Sequence, residues 1–183
     1  MTTSADAIST PLLIAGEERP GGAGTFPVYD PGQTGAIIGY AAAASRDDAL
    51  AAVAAAEAAW PAWAALSATE RVGIVLAALS GLESDNDART DILSRENGKI
   101  RFEAFIDLAV FSGRFHQAAA YAPELDVDEH IAGPPFNTTI TKLSRGAVTI
   151  IYPFNWPLAI LAASLPAALM RSEEHTSELQ SPC

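Results

Sequence analysis

Three features of the chain predict an α/β fold. Short apolar runs broken by Pro and Gly occupy the first forty residues, and helix-period segments with capping signals run from about residue 45 to 121. Strand alternation then returns near residue 138 and gives way to an apolar helix that ends near residue 170. The length, 183 residues, allows one domain with a sizeable core. The formal net charge is −11 and the only lysines are Lys99 and Lys142. Phosphate binding needs clustered Lys and Arg, so nucleic acid is not an expected partner. Residues 1–14 hold neither a basic stretch nor a continuous apolar run of the kind that directs export, and the single cysteine is Cys183. A cytoplasmic location without disulfides is therefore expected.

The opening segments read as strands and turns. Leu12-Leu13-Ile14-Ala15 runs into Gly16-Glu17-Glu18, and Phe26-Pro27-Val28-Tyr29 passes through Asp30-Pro31-Gly32-Gln33-Thr34-Gly35 into Ala36-Ile37-Ile38. Pro and Gly between two apolar runs signal a hairpin-like reversal. Gly32, Gly35 and Gly39 lack GxGxxG spacing and read as structural punctuation rather than a phosphate loop.

Ser45 is placed to cap an Ala-rich helix with Asp47 and Asp48 at its positive end, expected to stop at Pro61. Ser67-Ala68-Thr69-Glu70 has capping-box spacing, and the helix behind it carries Val72, Val75, Leu76 and Leu79 on one face. A third helix spans about 87–97 with Asn97-Gly98 as its left-handed exit, where Lys99 would favour the negative end of the dipole. A fourth, about 101–121, aligns Phe102, Phe105, Ile106 and Ala109 as its expected core stripe. Residues 122–136 read as an acidic connector, and residues 137–152 as a hairpin whose turn is Ser144-Arg145-Gly146. Pro153 ends its second strand, and Pro157 sits where a missing N–H costs nothing at the start of a last helix.

Residues 147–170 carry no charge and are long enough to cross a bilayer, but Pro153, Pro157 and Pro166 break the stretch. The segment after the bend, residues 158–170, is too short to span and reads as a buried helix. A membrane anchor through residues 147–170 and a non-catalytic interaction module remain the alternative readings.

From spacing alone, catalytic candidates are few. His116, His130 and His175 stand apart, and no Cys, His or carboxylate set has metal-ligand spacing. Asn155 is better placed, an amide at a bend between a buried strand and a helix, where open α/β sheets bind ligands. An Asn before a helix is also a common turn or cap residue.

In order along residues 12–170, several motifs resemble the N-terminal part of the NAD(P)-dependent aldehyde dehydrogenase superfamily. They are Ile14-Ala15-Gly16-Glu17, the Tyr29–Gly35 turn given above, Trp60-Pro61-Ala62-Trp63, and Leu66-Ser67-Ala68-Thr69-Glu70-Arg71. Leu93-Ser94-Arg95-Glu96-Asn97-Gly98-Lys99 and Pro153-Phe154-Asn155-Trp156-Pro157-Leu158 complete the set. Each motif is weak alone; their joint order is specific.

The resemblance implies an incomplete α/β aldehyde dehydrogenase fold: a β arm, a helical layer, a β-hairpin, and the first strand and helix of a Rossmann-like cofactor domain. Residues 1–136 would be the arm and helical part, and 137–152 the hairpin with an oligomerisation-type strand and the start of the cofactor sheet. Residues 153–170 would be the bend and first cofactor-domain helix. The implied chemistry is oxidation of a small-molecule aldehyde to an acid with NAD or NADP, in a protein that is a homo-oligomer when full length. Asn155 matches the family's oxyanion-stabilising asparagine, and Ile151, Pro153, Phe154 and Asn155 match the cofactor-binding strand end and bend. The family more often places Trp before and Phe after this asparagine, the reverse of Phe154 and Trp156. Its nucleophilic cysteine and general-base glutamate have no counterpart in residues 1–170.

The segment Arg171-Ser172-Glu173-Glu174-His175-Thr176-Ser177-Glu178-Leu179-Gln180-Ser181 resembles the translation of a sequencing-library adapter. Residues 171–183 are expected to be a non-native tail and carry no weight in the fold expected above. Cys183 thereby leaves the list of candidates.

Overall fold

The computed structural model describes residues 8–134 and 136–171, and the backbone of residues 175–180. The opening strands are β1 (Ile8–Thr10), β2 (Leu12–Ile14), β3 (Glu17–Arg19), β4 (Thr25–Tyr29) and β5 (Ile37–Ala42). β2 and β3 form a hairpin whose two-residue loop, Ala15-Gly16, has φ of 56° and 77°. Positive φ at both positions matches the right-handed twist of the strands. The reversal expected between Tyr29 and Ala36 joins β4 to β5 antiparallel, and Asp30 tightens it by accepting the Gly32 N–H at 2.8 Å. β1 adds to the other edge of β5 in parallel. Its three residues are all exposed, so no burial pattern announced it.

Two helices start on capping boxes. α1 (Arg46–Ala64) is opened by Ser45, which receives the Asp48 N–H, while Asp48 receives the Ser45 N–H at 2.7 Å. Asp48 also accepts the Gly22 N–H at 2.8 Å and so ties the β-arm to the helix. α2 (Ala68–Glu83) repeats the device with Ser67 and Glu70. α1 does not stop at Pro61 but runs on to Ala64. One proline near the end removes a single main-chain bond, and its φ is already helical. Indole bonds from Trp60 to Ser144 Oγ at 2.7 Å and from Trp63 to the Leu169 carbonyl at 2.9 Å fasten this last turn.

α3 (Asn86–Asn97) exits through Gly98, whose φ is 77° and whose N–H bonds the Ser94 carbonyl. α4 (Arg101–Tyr121) runs into a 3₁₀ turn at Ala122–Leu125. Its buried face differs from the expected stripe. Phe102 and Phe105 are 65% and 55% exposed, whereas Ala104, Asp107, Leu108 and Phe115 are buried. The carboxylate of Asp107 faces the last helix, and a charged residue in the buried row disguised it as the solvent side.

The expected hairpin at 137–152 is replaced by an earlier one. β6 (Glu129–Ile131), within the acidic connector, pairs antiparallel with β7 (Thr138–Ile140). β8 (Val148–Pro153) leads into α5 (Pro157–Met170), and β9 (His175–Gln180) then lies parallel to β8. The sequence reading placed no strand in this tail. The pairing is a parallel backbone ladder from Val148 opposite His175 to Pro153 opposite Gln180. Val75 and Leu79 of α2, Phe115 of α4, and Ala162 and Met170 of α5 form the core, with Trp63, Val72, Leu76 and Phe111 packed around it. No helix among the described residues is long and apolar enough to cross a membrane.

The two capping carboxylates give a pH test. Hydrogen bonds from the Ser45 backbone and hydroxyl, then from Gly22, hold the Asp48 carboxyl below the usual aspartate range. The Ser67 hydroxyl and backbone do the same for Glu70. A depressed carboxylate contributes stability that is present above its unfolded-state pKa and lost as pH falls through the folded-state value. Asp48→Asn and Glu70→Gln should therefore lower Tm at neutral pH. In circular dichroism melts the gap from wild type should close on acidification below the folded-state values.

Candidate functional site

β8 ends at Pro153, Phe154 and Asn155 form a turn, and Trp156 occupies the position before the first residue of α5. Along β8 the residues alternate: Val148, Ile150 and Tyr152 are half-buried, while Thr149, Ile151 and Pro153 are exposed. Burial pushes the Tyr152 phenol up. Ile151, Pro153, Phe154 and Asn155 thus lie together on one exposed rim at the C-terminal end of the strand, the position where open α/β sheets take ligands. His116 and His130 are placed elsewhere, beside Glu83 and Thr139.

The turn is held from outside. Asn97 Nδ2 donates to the Phe154 carbonyl at 2.7 Å, and Lys99 Nζ donates to the Asn155 carbonyl at 2.9 Å. Lys99 Nζ also meets Asp107 Oδ2 at 2.9 Å and lies 4.3 Å from the centre of the Trp156 ring. Lys99 therefore points forward to the turn and does not sit at the C-terminal dipole of α3 as expected. The other Asp107 oxygen accepts the Ala159 N–H of α5 at 2.7 Å. Trp156 has no side-chain oxygen to cap α5, so Asp107 performs that task from α4, with its negative charge at the positive helix end. Asp107 is fully buried and the Lys99 side chain is 6% exposed. Sequence reasoning passed over Asp107 and read Lys99 only as a lysine at the end of α3, so it missed the pair. The signal was available in Asp107, a lone charge on the helical row of Ala104, Leu108 and Phe111.

The clamp has its own foundation. Ser94 Oγ donates to the Lys99 carbonyl at 2.7 Å, and Arg95 lies 3.9 Å from Asp30. Pro31 packs so closely on Gly98 that a Cβ there would stand 2.6 Å from Pro31 Cγ. At the far end of α5, Trp63 and Arg71 donate to the carbonyls of Leu169 and Met170. The motifs singled out in the sequence, from residue 30 to residue 158, thus meet around β8, the turn and α5.

Comparisons with known proteins bear on the family and the fold. Residues 19–172 match the model of the aldehyde dehydrogenase family. The chain is 32% identical over 162 residues to a D-glyceraldehyde dehydrogenase (NADP(+)) of Picrophilus torridus, covering 87% of this chain and 32% of that protein. It is 32% identical over 146 residues to an alpha-ketoglutarate semialdehyde dehydrogenase of Haloferax volcanii, covering 79% of this chain and 30% of the relative. An NAD-dependent aldehyde dehydrogenase from Sinorhizobium meliloti superposes with a TM-score of 0.87 at 25% identity, over 94% of this chain and 35% of that one. PnpE in complex with nicotinamide adenine dinucleotide gives a TM-score of 0.85 at 26% identity, over 94% of this chain and 36% of that one. The chain spans about a third of the length of the curated relatives it matches.

Removing Asp107 alone should be costly, because it strands the buried ammonium of Lys99 and uncaps α5. Breaking such a pair typically costs about 3–5 kcal/mol. In urea unfolding, Asp107→Ala should show a loss of this order, and Asp107→Leu combined with Lys99→Met a smaller one.

Proposed function

The chain belongs to the aldehyde dehydrogenase family, and from that membership we propose that it is the opening part of an enzyme that oxidises an aldehyde to a carboxylic acid with NAD or NADP. The observation that carries this reading is the clamped turn, which presents the exposed Asn155 at the C-terminal end of β8. When a nucleophile adds to an aldehyde, the carbonyl oxygen becomes an oxyanion. An amide donor aimed at that oxygen stabilises the charge as it develops, and a donor fixed beforehand needs no reorganisation at that moment. Asn155 fills this role in the proposed enzyme.

The cofactor fits the adjoining rim. Ile151, Pro153 and Phe154 offer an exposed apolar surface suited to the flat faces of a dinucleotide, and these residues would hold it. Bound there, the nicotinamide supplies the hydride acceptor. The Asp107 carboxylate already occupies the positive end of α5, so that helix end is not expected to take the cofactor's phosphates. Relatives are named for NADP and for NAD, which supports either dinucleotide. β6 and β7, exposed at every residue, are the strands we assign to an oligomerisation sheet.

The sequence holds one cysteine, Cys183, within the adapter-like tail. The nucleophile and the general base are therefore assigned to other parts of the full-length protein, and the isolated chain is inactive. Purified residues 1–183 should form no NAD(P)H from glyceraldehyde or a semialdehyde; sustained turnover would overturn the reading. In the full-length enzyme Asn155→Ala should lower kcat by about 10²–10³ while cofactor affinity stays near wild type.

A further inference from the structure

We propose that Asn97 and Lys99 are positioning residues that set the direction in which the Asn155 side chain leaves the backbone, a role that rests on the oxyanion reading above. The Asn155 side chain is exposed, so its direction depends on the backbone that carries it. Two planar peptide groups flank its Cα, and their rotations about that atom are φ and ψ. The carbonyl of Phe154 belongs to the first plane and that of Asn155 to the second. Asn97 holds one at 2.7 Å and Lys99 holds the other at 2.9 Å. Fixing both planes fixes both torsions, and with them the Cα–Cβ vector of Asn155.

Neither anchor belongs to the turn, to β8 or to α5. Asn97 is the last residue of α3 and Lys99 lies in the three-residue link to α4, so the two flank the left-handed Gly98. Lys99 is itself fixed, by the buried Asp107 on one side and the Trp156 ring on the other. Asp107 sets the start of α5 through Ala159, so the same carboxylate registers the helix and the lysine that steadies the turn. A displacement of about 1 Å at a reacting group costs on the order of 10²-fold in rate, so small losses of this clamp should be visible in kcat.

The test uses the full-length enzyme. Asn97→Asp keeps the size of the half-buried side chain but replaces the Nδ2 donor with a carboxylate oxygen that the Phe154 carbonyl repels, and Lys99→Met removes the second anchor. Each should lower kcat by roughly tenfold or more, with aldehyde KM and cofactor affinity little changed. The decisive comparison repeats both in an Asn155→Ala background, where a group acting through Asn155 has nothing left to position and its removal should cost no further rate. Equal losses in both backgrounds would make the residues structural, and a wild-type kcat in Asn97→Asp would also overturn the proposal. Should Lys99→Met fail to fold, Asn97→Asp carries the test by itself. If Asn155→Ala alone leaves kcat unchanged, the oxyanion reading falls and this proposal with it.

Discussion

A buried carboxylate organises this chain. Asp107 is closed off from water, where an ionised group is stable only with a counter-charge and hydrogen-bond donors around it. Lys99 supplies the charge and the first turn of α5 supplies a donor, so the solvation of one side chain fixes α4 against α5 and against the α3–α4 link. A leucine at this position would still let the two helices pack. It would leave the Ala159 N–H without its partner, because Trp156 cannot serve as a cap.

α5 shows how far its order depends on residues outside it. Apart from Pro157 at its first position, the helix has no acidic residue in its first turn and no basic residue in its last. Its N-terminal end is satisfied by Asp107, and its final carbonyls by the Trp63 indole and the Arg71 guanidinium. Arg71 in turn lies 3.7 Å from Asp126, which accepts the first N–H of α2. The helix behind the candidate site is therefore set by contacts from α1, α2 and α4, with sequence separations of 52 to 106 residues.

That separation decides what could be read from the sequence. The starts of α1 and α2 were legible because Ser45 with Asp48, and Ser67 with Glu70, are three residues apart and satisfy each other. The reversal at Asp30-Pro31-Gly32 and the glycine exit of α3 are equally local, and so is the bend that holds Asn155. Caps supplied from another helix leave no such trace, so Asp107 and Lys99 were missed as partners. β6 was hidden because Glu129, His130 and Ile131 are all exposed, which removes the alternation by which a half-buried strand is recognised. The partner of β7 and the pairing of β1 with β5 are likewise choices between backbone edges, which side-chain pattern does not fix when neither face is buried. On α4, two exposed phenylalanines outweighed a buried row whose central residue is charged.

Gly98 links the opening turn of the chain to the candidate site. An ordinary residue would be strained at φ 77°, and a side chain there would collide with Pro31. The left-handed step has a geometric product as well. It ends α3 abruptly and lets Asn97, the last residue of one helix, and Lys99, two residues before the next, reach adjacent carbonyls of the same turn. A continued right-handed helix would turn these two residues about 200° apart around its axis, and they could not meet neighbouring acceptors. The Asn-Gly-Lys order is thus what allows the junction of α3 with its connector to grip both sides of Asn155. The Tyr29–Gly35 turn, through Pro31, holds that connector from behind.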